Sequence, residues 1–140
     1  MMNNLFGHRV NILGRLVSKK LNKMISYTGL TGSQWPVIVR LLLSEELTQS
    51  EICEQLSIEA STASQTLYRM EQMGWVTRID GTDKREKKVI LTKKAKDHLS
   101  LWFQDTNSLE KKLMDEIPLE DIAVFDRVLD KMIDNMRKEK

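Results

Sequence analysis

The chain has 140 residues, 41% hydrophobic and 30% charged, with a formal net charge of +2. It is long enough to bury roughly 68% of its unfolded surface without a disulfide or metal staple. The lone Cys53 excludes an internal disulfide and a thiolate metal cluster. The longest apolar stretch, residues 35–43, is broken by Arg40 and too short to span a bilayer. No cationic start leads into an apolar segment with a small-residue cleavage site, so a cytoplasmic protein with no membrane partner is expected.

Charge is unevenly spread. Residues 1–40 hold six Lys/Arg (Arg9, Arg15, Lys19, Lys20, Lys23 and Arg40) and no acid. Residues 77–96 hold eight basic and three acidic residues, whereas residues 115–130 hold six acids against Arg127. This division predicts a basic working surface and a separate acidic part.

Two prolines and six glycines favour helices over a turn-rich β fold. In residues 5–25 the apolar positions advance by three and four, the mark of an amphipathic helix. Gly29 ends it. Thr31 and Gln34 then have capping-box spacing before a second helix that turns Trp35, Val37, Ile38, Leu41 and Leu42 inward. Thr48 and Glu51 make a second capping box, opening a short helix to about Leu56.

Another helix is expected from about residue 59 or 60 to Met73. On a helical wheel Ala63, Leu67 and Met70 form its buried stripe, with Gly74 in the left-handed position beyond it. Ser61, Gln65, Tyr68 and Gln72 fall on the opposite side, a face of hydrogen-bonding groups. Residues 75–79 and 88–92 are the only convincing strands. The turn residues of Asp80, Gly81, Thr82 and Asp83 lie between them, too far apart for a tight hairpin. The tip should project as a loop carrying Lys84, Arg85, Lys87 and Lys88. Thr92 caps a long helix with Leu99, Trp102, Phe103, Leu109 and Leu113. Pro118, at a first helical position, opens the last helix.

The third and fourth helices meet at Ser57 and Ile58, a helix-turn-helix layout. The exposed face of Ser61, Thr62, Ser64, Gln65, Tyr68 and Arg69 suits a helix in the major groove. Gln can pair bidentately with adenine, Ser and Thr can bond several base edges, and Arg69 can take guanine or phosphate. A basic loop bearing Arg85 can enter the adjacent minor groove, where narrow A·T tracts concentrate negative potential.

The runs TQSEICEQL at 48–56, ASQTLYRM at 63–70 and GWV at 74–76 resemble the winged helix-turn-helix of MarR-type transcriptional regulators. Asp83, Lys84 and Arg85, followed by Lys88 and by Leu91 with Thr92, resemble that family's wing signature. Leu30 and Thr31 with Gln34 and Trp35 resemble the entry to its second helix. The resemblance covers nearly the whole chain. It implies a mostly α fold with a small β-hairpin wing: a winged helix-turn-helix part at residues 31–96 and a helical dimerisation part at 1–28 and 97–140. It further implies a homodimer on a palindromic double-stranded DNA operator, usually repressing transcription, often released by a small molecule or an oxidant. Arg85 would then be the minor-groove arginine and Asp83 the carboxylate that orients it. Ser61, Ser64 and Gln65 fall on recognition-helix positions. The terminal segments carry more apolar residues than a thin winged domain could bury, which agrees with a partner subunit. Two departures are mild: Gln65 where an arginine is common, and Ala95 where a glycine is.

Other chemistries find little support. Cys53 stands where the family commonly has a small alanine, so a buried apolar role is expected, with thiol-based sensing as an alternative. His8 and His98 lack ligand spacing, so no metal or cofactor is expected. No phosphate loop, nucleophile elbow or paired-carboxylate motif occurs, which argues against an enzyme. An effector cleft between the first helix, second helix and winged part would be lined by Met24, Tyr27, Trp35 and Phe103, with His8 or Arg15 meeting an anion. The rival to DNA binding is a winged-helix module for protein contacts, its basic wing meeting an acidic partner.

Overall fold

The helices begin and end where local chemistry dictates. In the computed structural model, which describes residues 4–83 and 85–138, α1 (Phe6–Ile25) runs into a 3-10 turn, Ser26–Thr28. Gly29 stops it at φ 91°, a left-handed conformation natural to glycine. There follow α2 (Trp35–Ser44), β1 (Glu46–Thr48), α3 (Gln49–Leu56), α4 (Ala60–Met73), β2 (Val76–Asp80), β3 (Lys87–Leu91), α5 (Lys93–Leu113) and α6 (Leu119–Arg137). The chain divides into two compact units, Met1–Thr106 and Asn107–Lys140.

The core of the first unit gathers Ile25 from α1, Ile38 and Leu41 from α2, Ile52 from α3, and Leu67 and Met70 from α4. Trp102 sits edge-on to Trp35 and Trp75, with ring centroids 6.2 and 4.9 Å away. Such edge-to-face pairs add about 0.5–1.5 kcal/mol beyond their buried area. The Trp102 indole N–H donates to Thr28 Oγ1 at 2.9 Å, and that hydroxyl donates to the Ile25 carbonyl at 2.7 Å. A buried polar handle is thereby satisfied while α5 is tied to the end of α1.

Several expectations need correction. A third strand, β1, pairs antiparallel with β3, so the sheet order is β1-β3-β2. Three residues with one apolar side chain, Leu47, give no alternation to detect, yet Leu47 is buried opposite Val89. At α2 only half of the expected box forms. The Thr31 N–H donates to Gln34 Oε1 at 3.2 Å, but Thr31 Oγ1 lies against Ser33 Oγ and caps nothing. Leu42 is 39% exposed, so it does not join the core with Leu41. Pro118 is the N-cap of α6 and Leu119 its first residue.

In the second unit, Glu120 and Asp121 occupy the first turn of α6 and Arg137 its last, complementing the helix dipole. No residue of α6 is buried. Its apolar stripe, including Phe125, Val128, Met132 and Ile133, stays exposed in the single chain. Among the described residues no helix is long and apolar enough to cross a membrane.

Candidate nucleic-acid interface

The site begins at Thr48. Its hydroxyl accepts from the Glu51 N–H at 3.1 Å, while Glu51 Oε1 accepts from the Thr48 N–H at 2.9 Å. This complete capping box fixes the start of α3. Those hydrogen bonds from Thr48, backbone first and side chain second, hold the Glu51 carboxyl below its ordinary 4.5, assisted by Lys88 against some desolvation. At the other end Ser57 turns left-handed, φ 54°, and the Ile58 N–H donates to the Cys53 carbonyl at 3.1 Å. The chain then re-enters a helix as α4.

Ala63, Leu67 and Met70 are buried on the inner side of α4, the stripe read from the sequence. Ser61, Thr62, Ser64, Gln65, Tyr68 and Arg69 are all exposed. Gly74 ends the helix at φ 84°, and the Trp75 N–H returns to the Met70 carbonyl at 2.9 Å. Lys94 adds a cation at this end. Its Nζ donates to the Met73 carbonyl at 2.6 Å and sits 4.3 Å above the centre of the Trp75 ring.

The wing is held by its own backbone. The Gly81 N–H donates to the Glu86 carbonyl at 2.9 Å, and the Glu86 N–H to the Asp83 carbonyl at 2.8 Å. Asp83 Oδ1 accepts from the Arg85 N–H at 3.0 Å and lies 3.6 Å from the Arg85 Nε. The Arg85 side chain is 92% exposed, so the guanidinium is presented outward while the carboxylate biases its direction. Lys84 lies outside the described residues.

Two lysines depart from the projecting loop expected of them. Lys87 is in β3 and bonds Asp80, its cross-strand partner. Lys88 is also in β3, and its side chain is only 19% exposed. Its Nζ lies 3.5 Å from Glu86 and 3.6 Å from Glu51. Partial burial disfavours the Lys88 charge, but Glu86, Glu51 and Glu46 outweigh it and hold the pKa above the ordinary 10.5. Lys88 therefore fastens the wing to α3. Both strands have the expected five residues, but β2 is shifted one residue later and β3 one residue earlier than expected, so the loop between them is shorter.

Sequence reasoning missed Arg78. From β2 its Nε donates to Glu71 of α4 at 3.1 Å, and its Nη2 to Gln49 of α3 at 3.1 Å. One planar side chain thus joins both helices of the motif to the wing. Nothing in the sequence marked it beyond its place in the strand.

The six residues expected around an effector do not assemble as supposed. Trp35 is consumed by the core, 9% exposed, with its ring 5.3 Å from Phe103. Met24 and Phe103 are half-buried against the same core. Tyr27 is exposed and donates to Asp105 at 3.1 Å, and His8 and Arg15 are exposed on α1. A cleft of about 670 Å³ does open between α1, the start of α2 and the winged part, lined by Lys19, Asn22, Thr31, Pro36, Ile58 and Thr62 among others, and by none of the six.

Cys53 is half-buried in α3, less enclosed than a core residue. His98 Nδ1 lies 2.8 Å from the Lys94 carbonyl, with its ring edge-on to Trp75. Among the described residues no group of three or more His, Cys, Asp or Glu could hold a metal ion.

Residues 28–86 match the sequence pattern described as the MarR family. The chain is 38% identical over 118 residues to the uncharacterized HTH-type transcriptional regulator YwoH of Bacillus subtilis (strain 168), covering 84% of this chain and 86% of that protein. Among solved structures it is similar to a MarR transcriptional regulator from Methanosarcina mazei Go1, with TM-score 0.89 and 22% identity over 99% of this chain and 100% of that one. It is also similar to a mutant MarR from E. coli complexed with operator DNA, with TM-score 0.82 and 22% identity over 93% of this chain and 99% of that one. At these identities the structural likeness concerns the fold.

Proposed function

The chain belongs to the MarR family, a family of transcriptional regulators and not of enzymes, and from that premise we propose that it acts as a homodimer on a palindromic DNA operator. The observation that carries this reading is the pairing of the polar outer face of α4 with the outward Arg85 of the wing in one compact unit. Helix α4 lies in the major groove, where Gln65 and Arg69 reach base edges and Ser61, Thr62, Ser64 and Tyr68 reach edges or phosphates. Arg85, steered by Asp83, enters the flanking minor groove, with Lys87 beside the phosphates.

Exposed apolar side chains support the dimer. Leu5, Phe6, Val10, Leu13 and Leu16 of the first-helix region, and Phe125, Val128, Met132, Ile133 and Met136 of α6, remain open in one chain. Isolated patches of this kind are costly in a monomer and mark an interface. A second copy supplies matching faces by two-fold symmetry. The regulator represses by occupying its operator, and a small molecule releases it.

A gel-shift titration over salt with the DNA upstream of the chain's own gene, alongside a shuffled duplex, tests the reading. Sedimentation under the same conditions reads the assembly. The expected result is a dimer that prefers one palindromic sequence and weakens as salt rises. A protein that binds both duplexes negligibly at low salt is not a DNA regulator.

A further inference from the structure

Helix α2 ends with charges that oppose its own dipole. Its last turn holds no basic residue, and the next two residues, Glu45 and Glu46, are both acids. The negative end of the helix dipole and two carboxylates therefore add, where a cation would be the stabilising neighbour. Glu45 turns the chain out of the helix at φ 67°, a region that residues with a side chain seldom enter. Among the described residues neither glutamate makes an ion pair.

Both acids line an apolar groove of about 570 Å³, a size that takes a small molecule. Glu46 of β1 lies level with Ile90 of β3 in the antiparallel register. Side chains alternate along a strand, so Ile90 faces away from the core that Val89 and Leu91 enter. Leu42 of α2 and Ile79 of β2 line the groove with it, both left open to solvent. Lys96 of α5 is the only cation of the lining, and two carboxylates against one ammonium leave a net charge of −1. No lining residue belongs to α4, to the tip of the wing or to the cleft between α1 and the winged part.

We propose that this groove binds a small organic cation with an apolar body. The body lies against Leu42, Ile79 and Ile90, and the cationic head meets Glu45 and Glu46 at the end of α2. Apolar contact supplies the affinity, and the uncompensated negative end of α2 chooses the sign of the ligand's charge. Because the walls come from α2 and from both strands of the wing, the occupant bridges the helix to the wing root. The site does not depend on the DNA-binding reading, and its test is run without DNA.

The experiment follows the isoleucine δ-methyl NMR signals of the full chain during titration with tetraphenylphosphonium. Tetraphenylborate, an anion of nearly the same size and shape, is the control. The phosphonium should move Ile79 and Ile90 with saturation and leave Ile58, which lines the other cleft, in place. Glu45→Gln/Glu46→Gln should weaken its binding about fivefold, and Lys96→Gln should strengthen it about twofold. These opposite signs are not what a general loss of structure produces, and thermal melting checks that each variant is folded. The proposal is overturned if the phosphonium leaves Ile79 and Ile90 unmoved, or if it moves Ile58 in their place. It is equally overturned if tetraphenylborate binds the same methyls as tightly, or if the glutamine pair binds the phosphonium as well as wild type does. In either of those cases the groove is apolar but has no preference for a cation.

Discussion

The Glu51 carboxylate closes the capping box of α3 through Thr48 and lies 3.6 Å from Lys88 Nζ on β3. One acid thus anchors the first helix of the motif and draws the wing strand toward it. Arg78 reinforces the same junction from β2 through Gln49 and Glu71. The wing is consequently braced at its base, while Arg85 at its tip stays free to meet a groove.

This junction gives a pH dependence with a defined sign. Folding lowers the Glu51 pKa, chiefly through hydrogen bonds from Thr48. A group depressed in the folded state stabilises fully above its ordinary value of 4.5 and loses that contribution as pH falls through the folded value. Wild type should therefore melt higher than Glu51→Gln at neutral pH, with the gap closing under acid. Half exposure of Glu51 keeps the gap small. Thr48→Ala should cost about 1 kcal/mol by removing the cap itself. Thermal melts from neutral to acid pH check both, and a gap between wild type and Glu51→Gln that is constant with pH would contradict the assignment.

Gly74→Ala should destabilise by about 1 kcal/mol. The residue sits at φ 84°, where a Cβ costs about 1–2 kcal/mol, partly offset by the stiffer unfolded chain. The added methyl would also meet Lys94 Cδ at 3.5 Å, beside the amine that caps the Met73 carbonyl. Urea unfolding measures the change. An alanine variant as stable as wild type would mean the α4 terminus relaxes freely.

Patterns with a local cause were the legible ones. The Thr48 box, the α4 stripe and the Gly74 stop each follow from spacing within one helix, and each is present. What escaped depended on partners distant in sequence. β1 exists because Leu47 finds Val89, and Lys88 turns inward because Glu51 and Glu86 await it. Arg78 gained its role from two helices that precede it in the chain. The surroundings of Trp35 depended on distant partners in the same way, since its ring packs edge-on to Trp102 and Phe103.

Arg85→Ala should weaken operator binding by about 1–3 kcal/mol per subunit site and reduce the salt slope by about 1. Its side chain touches little of the protein, so stability should move by no more than about 0.5 kcal/mol. Asp83→Ala should cost less, since it frees the guanidinium without removing it. Fluorescence anisotropy on a labelled operator across salt resolves the two. Unchanged affinity and slope for Arg85→Ala would show that the wing stays off the DNA.

Gln65 is exposed near the middle of α4, opposite the buried Leu67 and Ala63 side. Its amide offers one donor and one acceptor, the pattern that matches adenine N7 and N6 in the major groove. Ser61, one turn earlier, is too short to discriminate strongly but can hold the register through a phosphate or base edge. A dimer sets two such helices in successive major grooves, so the half-sites should repeat about 10 base pairs apart. Gln65→Ala should therefore relax one symmetric pair of A·T positions by about 1–3 kcal/mol. Binding to shuffled DNA should persist, because the phosphate contacts of the wing and helix are intact. Selection from randomised duplexes with both proteins reads the outcome directly. If the variant enriches the wild-type motif with undiminished sharpness, specificity comes from Tyr68, Arg69 or the shape of the DNA, and Gln65 is a bystander on the recognition face.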